Sequence, residues 1–258
     1  MNYAVLIFTV LWVAPGVLRA PRVHFEKDSL TQVYAKARQQ NKPVLVVLAP
    51  PPSPADLPPA LKKARRESGL NAPAVVAALN KDFLNKELAF GTAESAAVAG
   101  KYTVSRYPTY LYFNPDGGLL YRNVGDASAE QRYLKDLQAV REARADPQNL
   151  SYFRKEFQQG NRSAAFLKQY IAKRRQLGQL VEPELLDAYV KQLPVKAFDQ
   201  AAEVVFILEN GPVVGSRAYQ LARLNTKVYD SLYKFLPLPQ RVAVNNLIIN
   251  PSCGVLPG

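Results

Sequence analysis

The chain has 258 residues, of which 48% are hydrophobic and 21% are charged, so we expect one large or two small globular domains. Its formal net charge of +12 could attract nucleic acid, anionic lipid or acidic proteins, but the basic residues are spread along the chain in short clusters on predicted helices. Because no zinc-ligand spacing, recognition-helix motif or aromatic RNA-binding motif occurs, we expect no nucleic-acid partner.

The first predicted element is an apolar segment near the N-terminus. Residues 4–18 are almost entirely apolar, yet they fall short of the about 20 residues that a membrane span needs. They predict a secretory signal peptide over residues 1–20. No lysine or arginine precedes the segment, and cleavage after Ala20 would place Pro21 next, so an uncleaved anchor remains the alternative. We therefore expect an exported, periplasmic or envelope-associated protein, with membrane contact only if the segment stays attached.

Strand and helix patterns then alternate over residues 22–145. Helices are predicted over residues 29–40, from about 57, and over 74–79, 93–101 and 127–144; strands are predicted around 23–25 and over 44–48, 83–90, 109–113 and 119–123. The apolar, β-branched segment 44–48 is typical of a strand that is buried on both faces. Residues 114–118, Asn-Pro-Asp-Gly-Gly, predict a hairpin turn between the last two strands.

The pattern changes at residues 146–149, Asp-Pro-Gln-Asn. From there to residue 258 helix-length segments are separated by breaks at 160–162, 182–183, 193–194 and 210–212, and no strand pattern stands out. Short links between helices favour stacked antiparallel hairpins, as in a small bundle or a solenoid. Residues 146–258 are therefore expected to form an all-α domain, and the proline- and glycine-rich end suggests that it is truncated.

Cysteine and histidine each occur once, as Cys253 and His24. A single cysteine cannot form an intramolecular disulfide, a dithiol redox pair or a metal cluster, so we expect no metal and no cofactor. His24 is expected to be an ordinary structural residue. Cys253 could still link two chains or carry a small thiol in an oxidising compartment, although an incidental thiol is the preferred interpretation.

Residues 101–113, KYTVSRYPTYLYF, and the turn that follows them resemble a segment of the thioredoxin family. In that family the segment ends in a cis-proline, and a strand and a β-hairpin come next. With residues 25–27 and 41–44, the match makes 22–145 similar to exported bacterial thioredoxin-like proteins that carry a helical C-terminal region. The resemblance implies an α/β, thioredoxin-like fold with a central mixed sheet flanked by helices, followed by the all-α region.

The redox motif of that family is missing from this sequence. In the family the first central strand runs into Cys-x-x-Cys at the start of a helix, whose N-terminus stabilises a thiolate. Alignment on residues 42–48 fills those positions with Ser53, Pro54, Ala55 and Asp56. The family's tryptophan before the motif falls at Pro52, and its buried acid falls at Val47. The resemblance therefore implies a thioredoxin-like protein with a degenerate active site and no catalytic residue.

The residues around the vacated motif have a structural interpretation. Ser53 could act as a nucleophile only with a positioned base, and His24 is the one histidine available. Asp56 suits a helix N-cap, with Pro58 in the first turn. A polyproline ligand at residues 50–52 is an alternative that we consider weaker.

The resemblance implies a peptide groove at Tyr107 and Pro108 that does not depend on the dithiol. In the family the backbone before the cis-proline pairs with an extended substrate peptide, and here that residue is Tyr107. The alternative is that Pro108 only shapes a turn. The candidate groove comprises Pro52, Ala55, Tyr107 and Pro108. Further aromatic anchors could come from Tyr102, Tyr110 and Tyr112, of which alternate residues must face the core.

The expected function is a binding or scaffold module of the cell envelope whose partner is an unknown protein or peptide. An enzyme is the less favoured class. Two alternatives remain, a thiol–disulfide oxidoreductase that uses the single thiol of Cys253 and a basic protein that binds envelope polyanions.

Overall fold

A computed structural model describes residues 22–52, 68–212 and 215–224. The described helices are α1 Leu30–Gln40, α2 Pro73–Asp82, α3 Ala93–Lys101, α4 Glu130–Ala145, α5 Leu150–Gln158, α6 Ala164–Gln176, α7 Pro183–Gln192, α8 Ala201–Glu209 and α9 Arg217–Leu224. The strands are β1 Val44–Leu48, β2 Leu84–Leu88, β3 Thr109–Phe113 and β4 Leu119–Val124, and two short 3-10 helices cover Gly69–Asn71 and Val195–Asp199.

The four strands form one mixed sheet in the order β2-β1-β3-β4. β1 runs parallel to β2 and antiparallel to β3, and β3 pairs with β4 through the predicted hairpin. Helices flank both faces of this sheet. The chain therefore has a thioredoxin-like fold, which confirms the predicted fold class.

Strand β1 lies at the centre of the core and is buried along its whole length. Val44, Val46 and Leu48 pack on one face of the sheet, with α1, α3 and the later helices. Leu45 and Val47 pack on the other face, with α2 and α4. A continuous apolar, β-branched run is what a strand covered on both faces requires.

The described elements after residue 146 are all helical, and they share the first of these two cores. Phe153 of α5 is buried and stacks on Tyr170 of α6, with ring centroids 5.5 Å apart and an interplanar angle of 6°. The same apolar cluster runs from Val33 and Phe113 to Leu186 of α7. The helices thus pack directly against the sheet, while the division into domains at residue 146 stays a prediction.

The predicted N-terminal strand around residues 23–25 is reduced, in the described part of the chain, to one isolated parallel bridge between Phe25 and Asn85 of β2. One backbone bond, from the Glu26 N–H to the Asn85 carbonyl at 2.7 Å, is joined there by bonds from side chains. The Asn80 side chain accepts from the backbone N–H of His24 at 2.8 Å, and Lys86 donates to the carbonyl of Asp28 at 2.6 Å.

Several predicted features lie outside the described residues. They are the N-terminal segment at 1–20, the vacated motif at 53–56, the helix expected from about residue 57, and Cys253. Within the three described ranges, no helix combines the length and apolar character needed to cross a membrane.

Candidate functional site

The pairing register brings three chain segments to one edge of the sheet. Leu48 lies opposite both Leu88 of β2 and Thr109 of β3. The chain leaving β1 towards Pro52, the chain leaving β2 and the chain entering β3 from Tyr107 and Pro108 therefore meet there. We call this the candidate edge. Pro52 is exposed, whereas Tyr107 and Pro108 are half-buried.

Two of the predicted peptide-binding residues, Tyr107 and Pro108, sit in a segment fixed on both sides. The Tyr107–Pro108 peptide bond is cis. The Pro108 carbonyl accepts from the backbone N–H of Gly125 at 2.8 Å, and the Thr109 hydroxyl donates to the Arg106 carbonyl at 2.6 Å. Ala55, the fourth predicted residue, lies outside the described part of the chain.

Tyr107 offers hydrogen-bonding groups at this edge. Among the described residues, neither its backbone N–H nor its carbonyl has a hydrogen-bond partner. Its ring meets that of Phe90 edge to face, with centroids 5.1 Å apart. Phe90 is 45% exposed, although large apolar side chains are usually buried. The candidate edge therefore combines a backbone donor and acceptor with an accessible aromatic surface.

The other tyrosines named as anchors do not reach a surface. Tyr102, Tyr110 and Tyr112 are all buried, the last two against α2 and α4. The expectation that alternate tyrosines would be available is wrong for β3, because this strand is covered on both faces and has no solvent side.

A polar cluster that the sequence did not reveal lies beneath the candidate edge. One carboxylate oxygen of Asp126 accepts from the hydroxyls of Ser68 at 2.7 Å and Tyr110 at 3.0 Å, and also from Tyr133. The Arg132 guanidinium lies over both tyrosine rings, 4.9 and 4.7 Å from their centroids. Burial, followed by the hydrogen bond with Tyr133, raises the pKa of the Tyr110 phenol. The Tyr110 phenol therefore stays neutral and acts as a hydrogen-bond donor.

The cluster has a structural role. Asp126 follows Gly125, whose N–H donates to the Pro108 carbonyl. The hydrogen bonds that the Asp126 carboxylate accepts therefore fix the turn after β4. Ser68 has no histidine or lysine among its described partners to serve as a base. Within the described ranges, no three His, Cys, Asp or Glu side chains come together as metal ligands. The described residues of the candidate edge offer hydrogen bonding and apolar contact.

Solved structures of other proteins resemble this chain over about half of its length. No family model matches the chain, and no curated protein matches it either. Among solved structures, an oxidoreductase named DsbH is 14% identical, with a TM-score of 0.35; the match covers 52% of this chain and 95% of that one. A candidate disulphide-isomerase from Bacteroides thetaiotaomicron is 22% identical, with a TM-score of 0.38 and coverage of 50% and 98%. A thioredoxin from Thermus thermophilus is 19% identical, with a TM-score of 0.36 and coverage of 50% and 92%.

Proposed function

We propose that this chain is a thioredoxin-fold protein of the cell envelope that binds extended peptide segments at the candidate edge and performs no dithiol chemistry. The observation that carries the proposal is that the backbone N–H and carbonyl of Tyr107 have no partner among the described residues, next to the accessible rings of Tyr107 and Phe90. A chain with one cysteine cannot cycle between a dithiol and an intramolecular disulfide. Export is proposed from the apolar segment at residues 4–18.

An extended peptide would bind beside Tyr107 by adding a short strand. Its backbone would accept from the Tyr107 N–H and donate to the Tyr107 carbonyl, and each such bond contributes about 0.5–1.5 kcal/mol net. Phe90 and Tyr107 would cover one apolar side chain of the peptide. Because main-chain groups carry no sequence information, such a site favours unfolded or extended segments over one particular sequence.

The test is site-specific photo-crosslinking with the full chain. p-Benzoylphenylalanine replaces Phe90, and a matched variant carries it at Tyr152, a 37% exposed tyrosine on α5 whose ring meets Phe153 at 5.4 Å. Each variant is irradiated with α-lactalbumin in two forms, native and permanently unfolded by reduction and carboxymethylation. We expect a product only from the Phe90 position with the unfolded form.

Equal products from the two positions, or equal products with the native and unfolded forms, would contradict a peptide site at the candidate edge. A redox assay tests the other half of the proposal. We expect no reduction of insulin disulfides above background, with or without Cys253→Ser. Reduction that disappears in Cys253→Ser would establish the monothiol oxidoreductase instead.

A further inference from the structure

A second concave surface lies at the opposite end of the sheet from the candidate edge. It opens between the β3–β4 hairpin and helices α1, α5, α6 and α7, and its volume is about 1290 Å³. Ligand pockets usually measure about 300–1,000 Å³, so the space is large enough for a small organic molecule. We call it the hairpin cleft.

Positive charge in the hairpin cleft is only partly neutralised. Among the described residues, the cations of Arg38, Lys101 and Arg154 form no ion pair with a carboxylate. The cleft's other two cations are paired: Arg174 bonds Glu182 at 2.7 Å, and Arg175 bonds Glu209 at 2.8 Å. The two remaining carboxylates, Asp116 and Glu184, keep their negative charge; that of Asp116 accepts from Ser151 and Gly118 and, added to burial, raises the pKa of Tyr34. With five cations and four carboxylates in its lining, the cleft keeps an excess of one positive charge.

Two phenol hydroxyls are available beside these cations. The rings of Tyr34 and Tyr102 both pack edge-on against Phe113, with centroids 5.8 and 5.2 Å from it. Neither hydroxyl has a partner among the described residues, and both tyrosines line the cleft. Burial raises the pKa of each phenol, while the nearby charge of Arg154 acts in the opposite direction on both. Both hydroxyls are therefore protonated at neutral pH and can donate towards an anion.

Part of the cleft lining is apolar. Phe157 of α5 packs against Tyr170 of α6 with ring centroids 6.0 Å apart, and the guanidinium groups of Arg162 and Arg174 lie 3.6 and 5.9 Å from these two centroids, respectively. Leu180 and Val181 continue this surface, and Leu180 is 51% exposed. The hairpin cleft therefore joins a cationic, donor-rich end to an apolar surface.

We propose that the hairpin cleft binds an amphiphilic organic carboxylate. Its anionic head would accept from the hydroxyls of Tyr34 and Tyr102 and pair with the guanidinium of Arg154, which matches a carboxylate in shape and charge. Its apolar body would lie along Phe157 and Leu180. The proposal is independent of peptide binding, because the two sites lie at opposite ends of the sheet.

The first experiment measures binding of cis-parinaric acid, a fluorescent long-chain carboxylate, and of its uncharged methyl ester. The full chain is titrated with each at the same ionic strength. The acid should bind at least about tenfold more tightly than the ester, since the loss of one charge-assisted contact corresponds to roughly that factor. Equal affinities, or no binding of the acid, would overturn the proposal.

Variants then locate the site. Arg154→Gln and Tyr34→Phe should each weaken binding of the acid several-fold and leave binding of the ester unchanged. Arg141→Gln is the matched control, because Arg141 is a 60% exposed arginine on α4 that does not line the cleft. If Arg154→Gln and Arg141→Gln change the affinity for the acid equally, the acid is bound elsewhere and the assignment to this cleft is wrong. Leu180→Ser should weaken binding of the acid and of the ester by the same factor.

Discussion

Asp126 is the residue on which the hydrogen bonds beneath the candidate edge converge. Its carboxylate receives three hydroxyls, from Ser68, Tyr110 and Tyr133, and two of these belong to buried tyrosines. Polar groups at buried positions are costly when their partners are removed. The residue therefore holds the turn after β4, and through Gly125 it holds the carbonyl of Pro108.

The first prediction concerns this carboxylate. Asp126→Ala removes the shared acceptor and should lower the free energy of unfolding by about 1–3 kcal/mol, the usual cost of leaving buried donors unpaired. Urea unfolding followed by circular dichroism measures the change. Asp82→Ala is the control, because that side chain is 41% exposed and only meets Arg141 at 3.7 Å; a change within about 0.5 kcal/mol is expected. Equal losses in the two variants would contradict a special role for Asp126.

At the level of elements, the sequence predicted those parts of the fold whose signals are local. The bounds of β1, β3 and α3 agree with the predicted ranges, because apolar runs and helix spacing are read over a few residues. β2 ends at Leu88, two residues before the predicted limit, since the N–H and the hydroxyl of Thr92 both donate to the Ala89 carbonyl and turn the chain into α3.

The candidate site was predictable only where a motif marked it. Tyr107 and Pro108 were found through the family resemblance. Phe90 was missed because it was assigned to a strand, and its ring partner lies 17 positions later in the chain. Asp126 was missed for a similar reason, since its partners come from three separate elements. Contacts of this kind depend on the register of the whole sheet, which no local pattern contains.

The second prediction contrasts two phenylalanines on different elements. Phe153 of α5 is 3% exposed and lies 5.5 and 5.6 Å from the rings of Tyr170 and Phe166. Phe153→Ala should lower the free energy of unfolding, measured in urea, by about 3–5 kcal/mol, because it leaves a cavity in the core shared with the sheet. Phe90→Ala should change the free energy of unfolding by about 0.5 kcal/mol or less, yet weaken the binding of reduced, carboxymethylated α-lactalbumin, measured by titration. A small loss for Phe153→Ala would mean that α5 contributes little to the fold.

At the scale of the whole molecule, tyrosines pack on both faces of the sheet. Tyr34 and Tyr102 lie on the face shared with the later helices, where they line the hairpin cleft, and Tyr110 and Tyr112 lie on the other. Tyr110 and Tyr112 are almost fully buried, with 2% and 1% of their surface exposed. Because the folded state buries these two neutral phenols, loss of the fold should couple to their ionisation.

The third prediction follows from the direction of that coupling. Burial raises the pKa of the Tyr110 and Tyr112 phenols above the ordinary value of 10.0. The folded state therefore binds their protons more tightly, and its stability is fully present below about pH 10 and is lost above it, by about 1.4 kcal/mol per pH unit for each such tyrosine. Absorbance at 295 nm should show these phenols ionising only together with the loss of far-UV circular dichroism, whereas in concentrated urea all 14 tyrosines should ionise in one step. Complete ionisation with helix signal retained would show that the Tyr110 and Tyr112 phenols are accessible in the folded chain.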